Sequence, residues 1–126
     1  MHELLPANLD SVATARHAVR RFAADMDVDL DGIVLAVSEA VANVVAHAYG
    51  GGSGGTVELR ARALPFEIVV NVRDHGRGLS DENSTPGAGY GLQIIRRLAQ
   101  HVELEETPDG VELTMGFRRG GRRSDG

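Results

Sequence analysis

One segment carries polar side chains at helical spacing among small residues, and it is the first candidate for chemistry. In VLAVSEAVANVVAHAY (residues 34–49), Glu39, Asn43 and His47 follow one another at intervals of four. Such spacing places them on one side of a helix. The opposite side is apolar and carries Val34, Val37, Val41, Val44 and Ala48. An acid, an amide and an imidazole could bind a ligand, but a sparse polar face on a buried helix explains this segment alone equally well.

A second candidate follows an apolar segment. Residues 66–72 alternate between apolar and mixed side chains, as strands do, and Asp74-His75-Gly76-Arg77-Gly78 comes next. A carboxylate at the end of a sheet lies at the rim of the core, where it can accept a hydrogen bond from a partly buried donor. Gly76 and Gly78 let the backbone turn and approach a planar group. The structural alternative is a glycine turn with an incidental acid.

A third candidate is the glycine cluster at the start of the third predicted helix. Gly87, Gly89 and Gly91 alternate in GAGYGL, which ends at Leu92. Bare N–H groups at a helix N-terminus favour an anion. The chain contains no lysine, which excludes a P-loop and a protein-kinase fold. The dinucleotide-binding fingerprint is excluded because a long loop precedes these glycines.

Composition excludes several classes of function. The 126 residues suffice for one domain, and the net charge of −5 argues against a nucleic-acid-binding face. Without cysteine there are no disulfides and no thiolate metal sites. No apolar run reaches the length of a membrane span, and the first ten residues lack a secretory signal. We therefore expect a cytoplasmic protein that binds neither nucleic acid nor membrane.

The elements that must position these residues can be read from periodicity. Helices are predicted from Asp10 or Ser11 to about Met26, from Asp29 or Asp31 to Tyr49–Gly50, and from Tyr90 or Gly91 to Ala99. Strands are predicted at 57–63, 66–72, 102–106 and 111–117, with a possible short leading strand at HELL. Residues 50–55, all glycine and serine, form a flexible connector, and Pro-Asp-Gly joins the last two strands in a tight turn.

This order predicts an α+β fold. We expect a two-layer α/β sandwich in which a mixed, mostly antiparallel sheet carries its helices on one face. Residues 1–118 are assigned to a single domain, and residues 119–126 to a disordered tail.

Taken in order, the three segments resemble a known family. Glu39 and Asn43 one turn apart, then DxGxG, then GxGxGL resemble the N, G1 and G2 boxes of the GHKL ATPases, which include gyrase, heat-shock chaperones, histidine kinases and MutL. The resemblance covers roughly Leu30 to Phe117. The segments SEAVANVVAHAY and GYGLQIIRRLAQHVEL are similar to the anti-sigma-factor serine kinase branch, whose members are small, free-standing domains.

The resemblance implies ATP and Mg²⁺ as cofactors and a role for each candidate residue. Asn43 would bind Mg²⁺, Glu39 would be the general base, and Asp74 would accept the adenine amine. Glycines would shape the base pocket (Gly76, Gly78) and wrap the phosphates (Gly87, Gly89 and Gly91, followed by Leu92). Residues 79–88 would form a lid that is disordered without nucleotide, and His47 would be structural rather than a ligand.

The resemblance also implies partners. In this branch the acceptor is a serine of an anti-anti-sigma protein, and the same domain sequesters a sigma factor. Gyrase and MutL relatives bring a lysine to the γ-phosphate from a following domain; here Arg77, Arg96 or Arg97 could serve, or turnover could be weak. Three alternatives stay open: a nucleotide-dependent binding module with little turnover, the catalytic domain of a sensor histidine kinase, and a nucleotide-free structural domain. A homodimer is possible, and the exposed helix face with Arg16, Arg20 and Arg21 is either solvated or a contact surface.

Overall fold

The computed structural model describes residues 1–51, 55–75, 89–108 and 110–120. These ranges contain five strands and three helices in the predicted order, including the short leading strand. The strands are β1 (His2–Pro6), β2 (Thr56–Ala63), β3 (Glu67–Asp74), β4 (His101–Thr107) and β5 (Gly110–Arg118). The helices are α1 (Asp10–Ala23), α2 (Leu30–Gly51) and α3 (Gly89–Leu98).

The sheet has the strand order β1-β2-β3-β5-β4, with β3 at its centre. All four pairings of the described strands are antiparallel, so the prediction of a mostly antiparallel sheet is confirmed and its mixed character is not seen in this part of the chain. After β3 the next described element of the chain is α3, which is followed by β4 at the edge of the sheet. The last strand, β5, then lies between β3 and β4. The α+β architecture agrees with the prediction.

The core lies between one face of the sheet and the helices. Alternating side chains of β2 and β3 are buried, and Leu59 pairs in register with Val72 and Ala61 with Val70. From α2, Ile33, Val37 and Val41 are almost completely buried and belong to the same hydrophobic cluster. Each such valine, leucine or isoleucine contributes roughly 1.5–3 kcal/mol on burial, so the helix layer is held by its apolar sides.

The boundaries of the first two helices differ from the prediction by a few residues. The first helix ends at Ala23 rather than at about Met26. The second is capped by Asp29, whose Oδ1 accepts a hydrogen bond from the backbone N–H of Gly32 at 3.1 Å. The end of α2 includes Gly50 and Gly51, which we predicted to be connector; residues 52–54 lie outside the described part of the chain. Helix periodicity therefore located the elements, but not their last turns.

Two residues assigned to the tail are joined to the domain by hydrogen bonds. The backbone N–H of Arg119 donates to the carbonyl of Phe66 at 3.0 Å, and that of Gly120 donates to the carbonyl of Asp27 at 2.8 Å. The hydrogen-bonded chain thus extends two residues past the predicted boundary, and residues 121–126 lie outside the described ranges.

None of the described helices is long and apolar enough to cross a membrane.

Candidate functional site

Helix α2 carries Glu39 and Asn43 at the border between its buried side and its solvent side. Both residues are half-buried, while Ala36 and Ala40 beside them are buried and Leu35 is exposed. Among the residues that the structure describes, no hydrogen bond or ion pair engages either polar side chain. Within the described ranges their side-chain polar atoms are not among the fully buried atoms that lack a partner, so they are open to solvent. A carboxylate and an amide oxygen beside small residues can meet a ligand or a cation.

Asp74 is the last residue of β3 and lies on the helix-covered face of the sheet. It alternates with buried Val72 and pairs in register with buried Val57. At the start of β5, the backbone of Gly110 approaches closely: a Cβ at Gly110 would lie 2.6 Å from the Asp74 carbonyl oxygen and 3.0 Å from Oδ2. Only a glycine fits at this approach. The half-buried Asp74 therefore lies directly against the backbone of Gly110.

Sequence reasoning found Asp74 but missed the role of Gly110. The Pro-Asp-Gly pattern indicates a turn, and a turn glycine looks the same whether it faces solvent or another strand. The contact depends on the strand order, because β5 lies next to β3 although the two are separated in sequence by α3 and β4. No local signal could have identified it.

Directly after Asp74, His75 is anchored on the opposite face of the sheet. Its backbone N–H donates to the carbonyl of Thr56 at 2.9 Å, and its Nε2 lies 2.8 Å from Oε1 of Glu58. The other oxygen of Glu58, Oε2, accepts from His2 Nε2 at 2.6 Å and from Arg60 Nη2 at 3.0 Å. We refer to Glu58, His75, Arg60 and His2 as the Glu58 cluster.

The partners of Glu58 stabilise its charged form. The hydrogen bond from His75, with smaller contributions from Arg60 and His2, lowers the pKa of Glu58 from an ordinary value of 4.5 to about 2, although burial acts in the opposite direction. The carboxylate is therefore ionised at neutral pH and can only accept hydrogen bonds, so both histidines carry a proton on Nε2. Sequence reasoning missed Glu58, because an acid on a strand otherwise indicates a solvent-facing position.

Helix α3 packs against α2 and begins with two of the predicted phosphate-binding glycines. Gly89 is its first residue, and Gly91 follows with half-buried Leu92 in the first turn. At the other end, Leu98 lines a surface cavity together with Gly32 near the start of α2. Since α3 packs along α2 with its C-terminal end beside Gly32, its N-terminal end points towards the Asn43 end of α2.

Several predicted site residues lie outside the described part of the chain. They are Gly76, Gly78, Gly87, Arg77 and the lid residues 79–88, and the side chain of His47 is not described either. Of the arginines considered as substitutes for a lysine, Arg96 and Arg97 are exposed in the last turn of α3. Arg96 is the seventh residue after Gly89, which places it about 10 Å further along the helix axis. Both arginines are therefore remote from the glycine end of the helix.

The donor set restricts how a metal ion could be held. Within the described ranges, no group of three or more histidine, aspartate or glutamate side chains could hold a metal ion. A cation beside Asn43 would take most of its ligands from water and from a bound molecule. Mg²⁺ is commonly held in this way, through one or two protein oxygens together with the phosphates of a nucleotide, so the residues present fit it.

Comparisons with known proteins agree on one family. Residues 5–117 match the family described as histidine kinase-like ATPase domain. The anti-sigma F factor of Caldanaerobacter subterraneus subsp. tengcongensis is 32% identical over 108 residues, which cover 75% of each chain. The anti-sigma F factor of Pasteuria penetrans is 33% identical over 114 residues, 79% of this chain and 76% of the relative.

Two further matches are parts of longer proteins. Blue-light-activated histidine kinase 2 of Erythrobacter litoralis is 32% identical over 109 residues, which cover 82% of this chain but 32% of the kinase. The crystal structure of the RsbU and RsbW domains of Rv1364c from Mycobacterium tuberculosis has a similar fold, with a TM-score of 0.73 and 23% identity. That match covers 99% of this chain and 34% of the Rv1364c chain.

Proposed function

Because the chain belongs to the histidine kinase-like ATPase domain family, in the branch that contains the anti-sigma F factors, we propose that it is an ATP-dependent serine-protein kinase and an anti-sigma factor. It binds a sigma factor and transfers the γ-phosphate of ATP to a serine of an anti-anti-sigma protein. The observation that carries the proposal is the pair Glu39 and Asn43, half-buried one helical turn apart and engaged by no other side chain among the described residues.

In this proposal Asp74 recognises the adenine base. Its carboxylate accepts a hydrogen bond from the exocyclic amine, beside the closely approaching backbone of Gly110. A buried site that is built around one hydrogen bond discriminates strongly against an analogue that lacks the donor. Gly76 and Gly78 would complete the base pocket.

Asn43 and the N-terminus of α3 face the phosphates. Asn43 would hold Mg²⁺ through its amide oxygen, and the bound ion would neutralise charge on the phosphate oxygens. Gly89 and Gly91 lie in the first turn of α3, at the positive end of the helix dipole, where their backbone N–H groups would bind phosphate. Gly87 would complete this phosphate site. Leu92 packs against the hydrophobic core and holds this first turn in place.

Glu39 acts as the general base. As the serine oxygen attacks the γ-phosphorus, the Glu39 carboxylate takes the hydroxyl proton, and the bond between the γ-phosphorus and the bridging oxygen of ADP breaks. The transfer is direct, and the chain itself is not phosphorylated. Glu58 does not suit this role, because a carboxylate with a pKa of about 2 is a weak base.

A second candidate function is a nucleotide-dependent binding module with little turnover. The chain has no lysine to hold the γ-phosphate, which favours this alternative. Such a module would bind ATP and a sigma factor through the same residues. The two functions differ in whether a phosphoserine appears on a partner.

The first test is nucleotide binding. ATP with Mg²⁺ should raise the melting temperature in proportion to the logarithm of the ATP concentration, because the ligand binds only the folded state. The Asp74→Asn variant should need more ATP for the same shift. No shift at millimolar ATP would refute nucleotide binding and with it both candidate functions.

A second experiment separates the kinase from the binding module. The chain is used to capture partners with and without ATP, and phosphorylation sites are mapped on the captured proteins. The kinase proposal expects a sigma factor together with a small protein that carries phosphoserine. A sigma factor captured in an ATP-dependent manner without any phosphoserine would favour the binding module.

A further inference from the structure

Glu58 is a buried carboxylate on the face of the sheet that the helices leave open. It is 9% exposed, whereas Arg60 and Arg62, at the alternate positions of the same strand, are exposed. A buried charge is costly unless it is paired and hydrogen-bonded. Here both carboxylate oxygens are used, one by His75 and the other by His2 and Arg60.

The Glu58 cluster joins three neighbouring strands at one end of the sheet. His2 belongs to β1, Glu58 and Arg60 belong to β2, and His75 follows the last residue of β3. Because Glu58 stays ionised, all of these hydrogen bonds have a charged acceptor, which makes them stronger than neutral ones. The cluster therefore restrains the position where the chain leaves β3.

That position is one peptide bond from Asp74. Side chains alternate across a strand, so His75 points to the open face while Asp74 points to the helix layer. The His75 side chain is held by Glu58, and its backbone N–H is held by Thr56. On its other side Asp74 is confined by the backbone of Gly110. The position of Asp74 is thus restrained by contacts on both faces of the sheet.

We infer that Glu58 is a positioning residue for base recognition: it holds His75, and through His75 it aims Asp74 at the exocyclic group of the base. This inference rests on the proposed role of Asp74 in nucleotide binding. Adenine presents an amine at that position, which donates to a carboxylate, whereas hypoxanthine presents an oxygen, which a carboxylate repels. A displaced Asp74 loses this discrimination before it loses the contacts to sugar and phosphates.

The test compares the affinities for ATP and for inosine triphosphate, each measured by calorimetry with Mg²⁺. The wild type should prefer ATP, and Asp74→Asn should remove most of the preference. Glu58→Gln should reduce the ratio of the two affinities by about tenfold, as expected when one hydrogen bond to a charged group is lost. The matched control is Glu103→Gln, an exposed glutamate on β4. It should leave the ratio unchanged.

The ratio separates positioning from stability, because a variant that is only less stable binds both nucleotides with equally reduced apparent affinity. His75→Gln retains an N–H donor and should keep more of the preference than His75→Ala does. If Glu58→Gln does not fold, this histidine pair decides the question by the same ratio, and equal ratios would overturn the inference.

The outcomes distinguish the inference from the function on which it rests. A wild type that binds neither nucleotide, or binds both equally, would refute the proposed role of Asp74. A wild type that prefers ATP, together with a Glu58→Gln variant of unchanged preference, would overturn the positioning role and leave the proposed function intact.

Discussion

Two glutamates of this chain, Glu58 and Glu39, have completely different surroundings. Glu58 lies on the open face of the sheet and accepts hydrogen bonds from two histidines and an arginine. Glu39 lies on α2 among small residues, and no partner of its side chain is found in the described part of the chain. A carboxylate surrounded by donors is held in place and has a lowered pKa, as Glu58 has. One without such partners keeps its lone pairs for a substrate, which is what a general base requires.

The comparison predicts that Glu39, and not Glu58, takes up the proton during phosphoryl transfer. Glu39→Gln keeps the shape of the side chain but removes its ability to accept a proton. Transfer to the acceptor serine should fall by about 10²–10⁴-fold in single-turnover measurements with labelled ATP, while ATP affinity should change little. The control variant Glu103→Gln should transfer at the wild-type rate. If Glu39→Gln retained full transfer, the assignment of the base would be wrong.

For the free energy of unfolding, in contrast, substitution of Glu58 should have a larger effect than substitution of Glu39. Glu58→Ala leaves the donors of the Glu58 cluster without their acceptor, and we expect the free energy of unfolding to fall by about 1–3 kcal/mol. Glu39→Ala removes no described interaction, so its loss should stay below about 1 kcal/mol. Urea denaturation measures both values. A larger loss for Glu39→Ala than for Glu58→Ala would contradict the structural role given to Glu58.

The smallest expected effect is on the pH dependence of the free energy of unfolding in acid. The pKa of Glu58 is lowered in the folded protein, so its charged form stabilises the fold at every pH above its ordinary value of 4.5. This contribution is lost as the pH falls from 4.5 through about 2. The difference in unfolding free energy between the wild type and Glu58→Gln should therefore shrink as the pH falls below 4.5. A difference that is independent of pH would show that the charge of Glu58 does not contribute.

Much of the fold follows from local patterns. The alternation in β2 and β3 and the apolar side of α2 are signals that each element carries in its own residues, because burial of one face requires them. The Asp29 cap and the Pro-Asp-Gly turn are equally local. The predicted ends of the elements were less accurate than the elements themselves. Gly50 and Gly51 are helical although glycine is a weak helix former, so their composition wrongly indicated a connector.

Some residues of the candidate site could likewise be identified from the sequence, and others only from the structure. Glu39 and Asn43 could be identified together because helical spacing fixes their relation within one element. Gly110 and Glu58 could not, because their neighbours come from strands that are distant in sequence.

The amino-acid sequence by itself determined the order of elements, the helix that carries the carboxylate and the amide, and the family to which they belong. Only the tertiary structure decided that Gly110 borders Asp74 and that the Glu58 cluster lies behind it. The physical reason is that periodicity records which face of an element is buried, whereas the strand order records which faces meet.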